Sequence, residues 1–375
     1  MAKIDLLIVG GGIVGLTASI AAAANGARVT VIDASINAGS TANAGSLHVQ
    51  MQSRFIRLYP DQAPDVEASL PLYLEAVKEW ERLDAELGPF ELVRKGGLML
   101  AESHEQMAFL EKKAARETQR GLKVELLDRT ALDRLAPWLG SQIVGAELCH
   151  DEGKLNPLVA NMNLRQRAID LGVKFLIDRV VEVSTGEGVT VMCAGGTRHV
   201  ADRAILAAAW GVGELTKNLG LALPVNAEPL HMNITEAGVG QINHLIQHAE
   251  RSITLKQFGS GQIVIGGGWA AQSRGNAQVP GVLADSMLGN VALAARLVPA
   301  ISRLRVLRTW AGMNTTMDGM SLLGPVPGAE NVIMAVPGDA GYTLGPLCGK
   351  AAAFLALGMD QSVDIERYTP RRFSA

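Results

Sequence analysis

Three glycines and one aspartate carry the clearest chemistry in the chain. Gly10, Gly12 and Gly15 are spaced G-x-G-x-x-G, and Asp33 follows 18 residues after the last of them. In that spacing Gly10 permits a tight turn. Gly12 has no Cβ, so a diphosphate can approach the backbone. Gly15 lets a helix lie close to a sheet. Amides at the start of that helix, around Ile13 and Val14, present unpaired N–H groups and the positive end of the helix dipole to phosphates. A carboxylate at Asp33, with Ala34 beside it, accepts hydrogen bonds from ribose hydroxyls and disfavours a 2′-phosphate. The pattern predicts a dinucleotide site. It does not separate NAD from FAD.

The elements around these residues must be a strand, a turn, a helix and a second strand. Ile4 to Val9 is a short run rich in branched residues, as in a strand buried on both faces. Ile13 to Asn25 is an Ala-rich helix stopped by Gly26, and Arg28 to Asp33 reads as a parallel strand. Leu6 to Ala24 is 19 residues without a charge, long enough for a membrane span or a signal segment. Asp5 at its start, a single Lys3 before it and the glycines inside it favour the strand–turn–helix reading. Farther on, helices are expected at Val66 to Leu87, His104 to Arg120, Asn156 to Leu171, Trp210 to Leu219, Val282 to Ile301 and Gly345 to Leu357. A buried strand is expected at Ala204 to Ala209, and mostly β-structure from Glu228 to Gly266. The fold class is α/β, with a Rossmann-like nucleotide-binding domain interleaved with a mixed-sheet substrate domain. Residues 1–47, 146–224 and 311–375 are assigned to the first and 48–145 and 225–310 to the second.

Composition narrows the partners. With 34 Lys plus Arg against 37 Asp plus Glu, the net charge is −3, so a polybasic nucleic-acid binder is not the reading. Hydrophobic residues make up 48% of the chain, which excludes global disorder. The three cysteines, Cys149, Cys193 and Cys348, are far apart. That gives no local zinc or Fe–S spacing and no disulfide framework, and it favours a reducing compartment. No metal is expected. His244 and His248 stand four apart without a nearby acid and read as surface helix residues.

Beyond the glycine turn, the stretches GSTANAGSL (Gly39 to Leu47), AILAAAWGVGEL (Ala204 to Leu215), RTWAGMNTTMDGMSLLG (Arg308 to Gly324) and GYTLGPLCGKAA (Gly341 to Ala352) resemble the D-amino-acid oxidase and glycine oxidase superfamily of FAD enzymes. NAGSLHVQMQSR (Asn43 to Arg54) with GYTLGP is similar to the FAD (β) subunit of heteromeric opine oxidases or dehydrogenases, D-hydroxyproline dehydrogenase and hydrogen cyanide synthase. The resemblance implies FAD as cofactor. It makes Ser40, Thr41, Asn43, Ala44, Gly45 and Ser46 a second flavin loop, against the alternative of a solvated polar loop. Val180 or Val181 would pair its backbone with adenine, and Ala209 and Trp210 would pass the cofactor. Gly341, Tyr342, Thr343 and Leu344 would lead into a final helix, from Gly345 onward, aimed at the flavin N1–C2=O edge, where reduced flavin is negative, and Pro346 supports the start of that helix.

The implied activity is oxidation of a C–N bond in a secondary amino acid of the opine or D-hydroxyproline type, by hydride transfer to flavin N5. Partner α and γ subunits would carry electrons, in the cytoplasm or at the inner face of the membrane. The alternatives are a stand-alone D-amino acid, glycine or sarcosine oxidase using O2, and a flavin-binding protein without turnover. Many relatives carry an arginine just after the W-x-G segment as a carboxylate clamp. Here Trp310-Ala311-Gly312-Met313 leads to Asn314, with Arg54, Arg274 and Arg308 as replacements. Candidate catalytic groups are His48, Tyr342, Asn314 and His231. Lys256 reads as a solvent-facing strand residue.

Overall fold

The strand Asp5–Val9 is buried from Leu6 onward, as its unbroken aliphatic run requires. In the computed structural model, which describes residues 3–374, it lies inside a six-stranded sheet. The order is Leu322–Val326, Ala329–Val336, Arg203–Leu206, Asp5–Val9, Arg28–Asp33, Lys174–Ile177. The inner pairs run parallel and only the Leu322–Val326 edge is antiparallel. Neighbouring strands therefore come from the start, middle and end of the chain. The uncharged run at Leu6 to Ala24 resolves into strand, glycine turn and the helix Ile13–Ala24. Among the described residues no helix is long and apolar enough to cross a membrane.

The first helix lies against the last, Gly341–Leu357. A Cβ at Gly345 would stand 2.6 Å from Ile13 Cγ2, and one at Gly349 only 2.2 Å from Thr17 Oγ1 and 2.4 Å from the Val14 carbonyl oxygen. Side chains are thus absent where the two backbones meet. The last helix begins at Gly341, four residues before the expected Gly345. Pro346, expected to open it, lies inside it and has no N–H for the carbonyl one turn back, that of Tyr342. Trp80 fills the gap: its Nε1 donates to the Tyr342 and Thr343 carbonyls at 3.1 and 3.2 Å.

A second, eight-stranded sheet runs Val306–Thr316, Asn226–Thr235, Ile263–Gly266, Thr254–Gln257, Leu245–His248, Gly97–Ala101, Gly145–Cys149, Val124–Asp128. The expected boundaries at 146 and 311 fall inside two of its strands, Gly145–Cys149 and Val306–Thr316. The long strands Asn226–Thr235 and Val306–Thr316 pair antiparallel, setting Glu228 opposite Asn314. Two further expectations are corrected. The strand Arg203–Leu206 ends before Ala209, which adopts φ +49°, and Trp210 to Leu219 breaks into a single α-turn, Val212–Leu215, between two 3₁₀ turns. His244 and His248 are not on a surface helix. Both are buried, beside and on the strand Leu245–His248, which is paired along both edges.

Candidate functional site

Between the two sheets a cavity of about 1150 Å³ runs from the glycine turn to the start of the last helix. The fold explains why both ends open on it. The first-turn amides of the first helix have no carbonyl one turn back, and close packing through Gly345 and Gly349 brings the last helix alongside. The turn is tied down by side chains. Gly11 N donates to Asp33 Oδ2 at 2.5 Å, Ser35 N to Asp33 Oδ1 at 2.7 Å, and Ile13 N to Ser40 Oγ at 2.8 Å. A Cβ on Gly12 would meet Ser40 Oγ at 2.9 Å.

Most residues singled out in the sequence line this cavity. At the turn these are Gly10, Gly12, Ile13, Val14, Asp33 and Ala34; along the loop, Ser40, Thr41, Asn43, Ala44 and Ser46. Val181, Ala209, Trp210, Gly341, Tyr342 and Thr343 also line it, as do His48, His231 and Asn314. Three do not. Gly15 lies under the turn, where a Cβ would stand 1.9 Å from the Gly10 carbonyl oxygen. Gly45, at φ +77°, makes room for the Leu155 carbonyl. Leu344 turns into the core.

The fit to FAD is direct. An elongated space begins at a backbone cradle from which Cβ atoms are missing and ends at a second helix N-terminus, so a phosphate-bearing tail and a ring that becomes anionic each meet a matching end. Gly10 to Val14 with Ser40 would hold the diphosphate, Asp33 the ribose, and Ala44 to Ser46 with Gly341 to Thr343 the ring.

Two candidate catalytic groups change their standing. The Tyr342 ring stacks on Trp80 with centroids 5.2 Å apart, and its hydroxyl is directed at the Pro157 carbonyl and Asn161 Oδ1, at 3.3 and 3.2 Å. That hydroxyl is committed to the scaffold. His231 is fully buried with neither ring nitrogen partnered among the described residues. Strand alternation puts its side chain on the face of Asn233, which donates to Asn290 of the helix Ala284–Leu297. Burial holds its basicity below the usual histidine range.

His48 stands in front of a buried carboxyl. Its Nδ1 is 3.7 Å from Glu152 Oε1. Glu152 is fully buried and accepts from Val49 N, Gln50 Nε2 and Gln247 Nε2 at 3.0, 2.8 and 2.7 Å. Gly97 leaves room for this carboxylate: a Cβ there would come within 1.9 Å of Oε2. Of the three arginine replacements only Arg54 lines the cavity, held by an ion pair with Glu228; Arg274 and Arg308 are exposed. Arg251, which no sequence pattern singled out, lines it too. So does Asp339, whose Oδ1 accepts from Asn314 Nδ2 at 2.5 Å.

Lys256 reverses the sequence expectation. It is fully buried, and its Nζ donates to Ser46 Oγ at 2.6 Å. Burial and the neighbouring Lys154 bring its pKa from 10.5 down to about 7. Between about 7 and 10.5 the unfolded chain therefore binds the extra proton, so stability rises with pH across that window. The penalty is full below about 7. Lys256→Met should stabilise the apoprotein at pH 7, by at most ~5 kcal/mol on the size of the shift, with the gain shrinking toward pH 10. Melting curves of the two proteins across that range check it, and a gain independent of pH would contradict it.

The family profile described as FAD dependent oxidoreductase matches residues 5–355. The chain is similar to the beta subunit of the sarcosine oxidase of Rhizobium meliloti (strain 1021), 27% identical over 86% of this chain and 77% of that protein. It is also similar to one of the subunits of the opine oxidase of Rhizobium meliloti, 26% identical over 86% of this chain and 85% of that one. Among solved structures, the glycine oxidase of Geobacillus kaustophilus superposes with a TM-score of 0.82 at 22% identity over 100% of both chains, a likeness of fold.

Proposed function

Because this chain belongs to the FAD dependent oxidoreductase family, we propose that it oxidises the C–N bond of a secondary amino acid, of the opine or D-hydroxyproline class, as the flavin-bearing member of a heteromeric dehydrogenase. FAD, when bound, supplies the hydride acceptor. The chain's own residues bind and orient the substrate. The observation that carries the reading is the polar cluster beside the start of the last helix: Arg54, Asn314, Asp339 and His48 face one cavity that also meets the glycine turn. Arg54 takes the substrate carboxylate in place of the arginine missing at position 314. Glu228 anchors it from behind, and Gly268 gives it room, since a Cβ there would stand 2.7 Å from Arg54 Cδ. The similarity to subunits of sarcosine and opine oxidases supports both the amine chemistry and the need for partners.

The test is anaerobic addition of opines, D-hydroxyproline, sarcosine and D-amino acids to the yellow holoprotein. Bleaching by a secondary amino acid, dye reduction and little peroxide are the expected results. A second reading, a stand-alone oxidase, is favoured by the sequence similarity to the glycine oxidase of Pseudomonas putida, 26% identical over 98% of both chains, and vigorous peroxide formation by the isolated chain would select it. A protein that no amine bleaches defeats both. Arg54→Gln should raise KM roughly 10- to 100-fold, the value of a charge-assisted carboxylate contact, with a smaller change in kcat.

A further inference from the structure

At the reaction end of the cavity, the carboxyls differ in what already satisfies them. Glu228 is paired with Arg54. Glu152 is fully enclosed and surrounded by donors. Asp339 lines the cavity, receives only the neutral Asn314 carboxamide on Oδ1, and makes no ion pair among the described residues. Its other oxygen has no hydrogen-bond donor among them. A carboxylate in that setting has no cation in direct contact with it, and the cavity offers an approach for one.

Resting on the amine-oxidation reading, we propose that Asp339 binds the cationic amine of the substrate and takes its proton. An N–H bond of the ammonium breaks, an O–H bond forms on the Asp339 carboxyl, and the nitrogen keeps its electron pair. That pair is what the carbon–nitrogen double bond of the product is made from, so the amine has to be neutral before the α-hydrogen leaves. Asn314 is the complementary choice on the facing strand. An arginine there would neutralise Asp339, whereas a carboxamide orients it and leaves its charge available. With Arg54 on the same wall, the site matches an amino acid whose carboxylate and ammonium are read by opposite charges.

The other charged and titratable groups around Asp339 fit this role. Burial, and then Glu228 on the strand Asn226–Thr235, push its carboxyl above the ordinary range, toward the proton affinity of an amine, while the Asn314 hydrogen bond, Arg54 and His48 pull it back. Tyr73, on the helix Ala63–Leu87, is held un-ionised by burial, with Asp339 adding to the effect.

The experiment uses Asp339→Asn holoprotein and two unreactive probes without an α-hydrogen. One is 2-aminoisobutyrate, and the other is its neutral carbon isostere, 2,2-dimethylpropanoate. Binding is read from the perturbed flavin spectrum at pH 7. The expected result is at least about a tenfold loss of affinity for the amine probe, with the carbon isostere unchanged within about twofold. For an oxidised amine, kcat/KM at pH 7 should fall about 100-fold and recover as the pH approaches the amine's own pKa. Equal weakening of both probes in Asp339→Asn protein that keeps its bound flavin, or weakening of neither, would overturn the proposal. Wild-type protein that binds neither probe also overturns it. If in addition no amine bleaches the flavin, the amine-oxidation reading itself has failed.

Discussion

Gly15→Val should yield a colourless protein. The Cβ it introduces would lie 1.9 Å from the Gly10 carbonyl oxygen and 3.0 Å from its carbon, both backbone atoms that no rotamer change can move. Relief requires the turn to lift from the first helix. That displaces the Gly10–Gly12 turn and the helix N-terminus that faces the phosphates. The expected loss is at least ~100-fold in FAD affinity, seen as absence of the flavin's visible absorption band after purification and failure to regain it in excess FAD. Retention of stoichiometric flavin would show that the diphosphate sits elsewhere. Circular dichroism separates loss of the cofactor from loss of the fold.

Gly349→Ala should cost more stability than any other single-methyl change in the last helix. Alanine is intrinsically better than glycine in a helix by ~1 kcal/mol, so propensity alone predicts a gain. The new methyl, however, would sit 2.2 Å from Thr17 Oγ1, 2.4 Å from the Val14 oxygen and 2.9 Å from Ala18 N. The two helices must separate, and overpacking of this kind costs ~1–3 kcal/mol and sometimes more. A fall in thermal midpoint of roughly 1–4 °C is expected for a chain of this length. Gly186→Ala is the control, since nothing lies within 4 Å of its Cβ position. Equal midpoints for the two variants would refute close helix contact at Gly349.

The sequence was most legible where local pattern and packing agree. The apolar run to Val9, the glycine turn and Asp33 sit in a strand, a turn and a strand end because nothing local competes with those choices. Legibility failed where a tertiary partner overrides a local signal. Pro346 looked like a helix opener, but Trp80, remote in sequence, takes over the carbonyl it leaves free. Lys256 looked solvent-facing on an alternating strand, and His248 looked like a surface helix residue from its spacing to His244. Both lie inside the eight-stranded sheet, where Leu245–His248 is covered along one edge by the remote strand Gly97–Ala101. Asp339 and Glu152 carried no motif at all. Their significance lies in which cations they lack, and only the assembled cavity defines that.

The strand order also bears on how the molecule is made. Asp5–Val9 leaves the ribosome ahead of the strands that flank it. Its neighbour on one side, Arg203–Leu206, follows some two hundred residues later, and Ala329–Val336 beyond it comes later still. A nascent chain therefore carries this hydrophobic strand and its alanine-rich helix uncovered for much of synthesis, which is the condition under which holdase chaperones act and premature termination products aggregate.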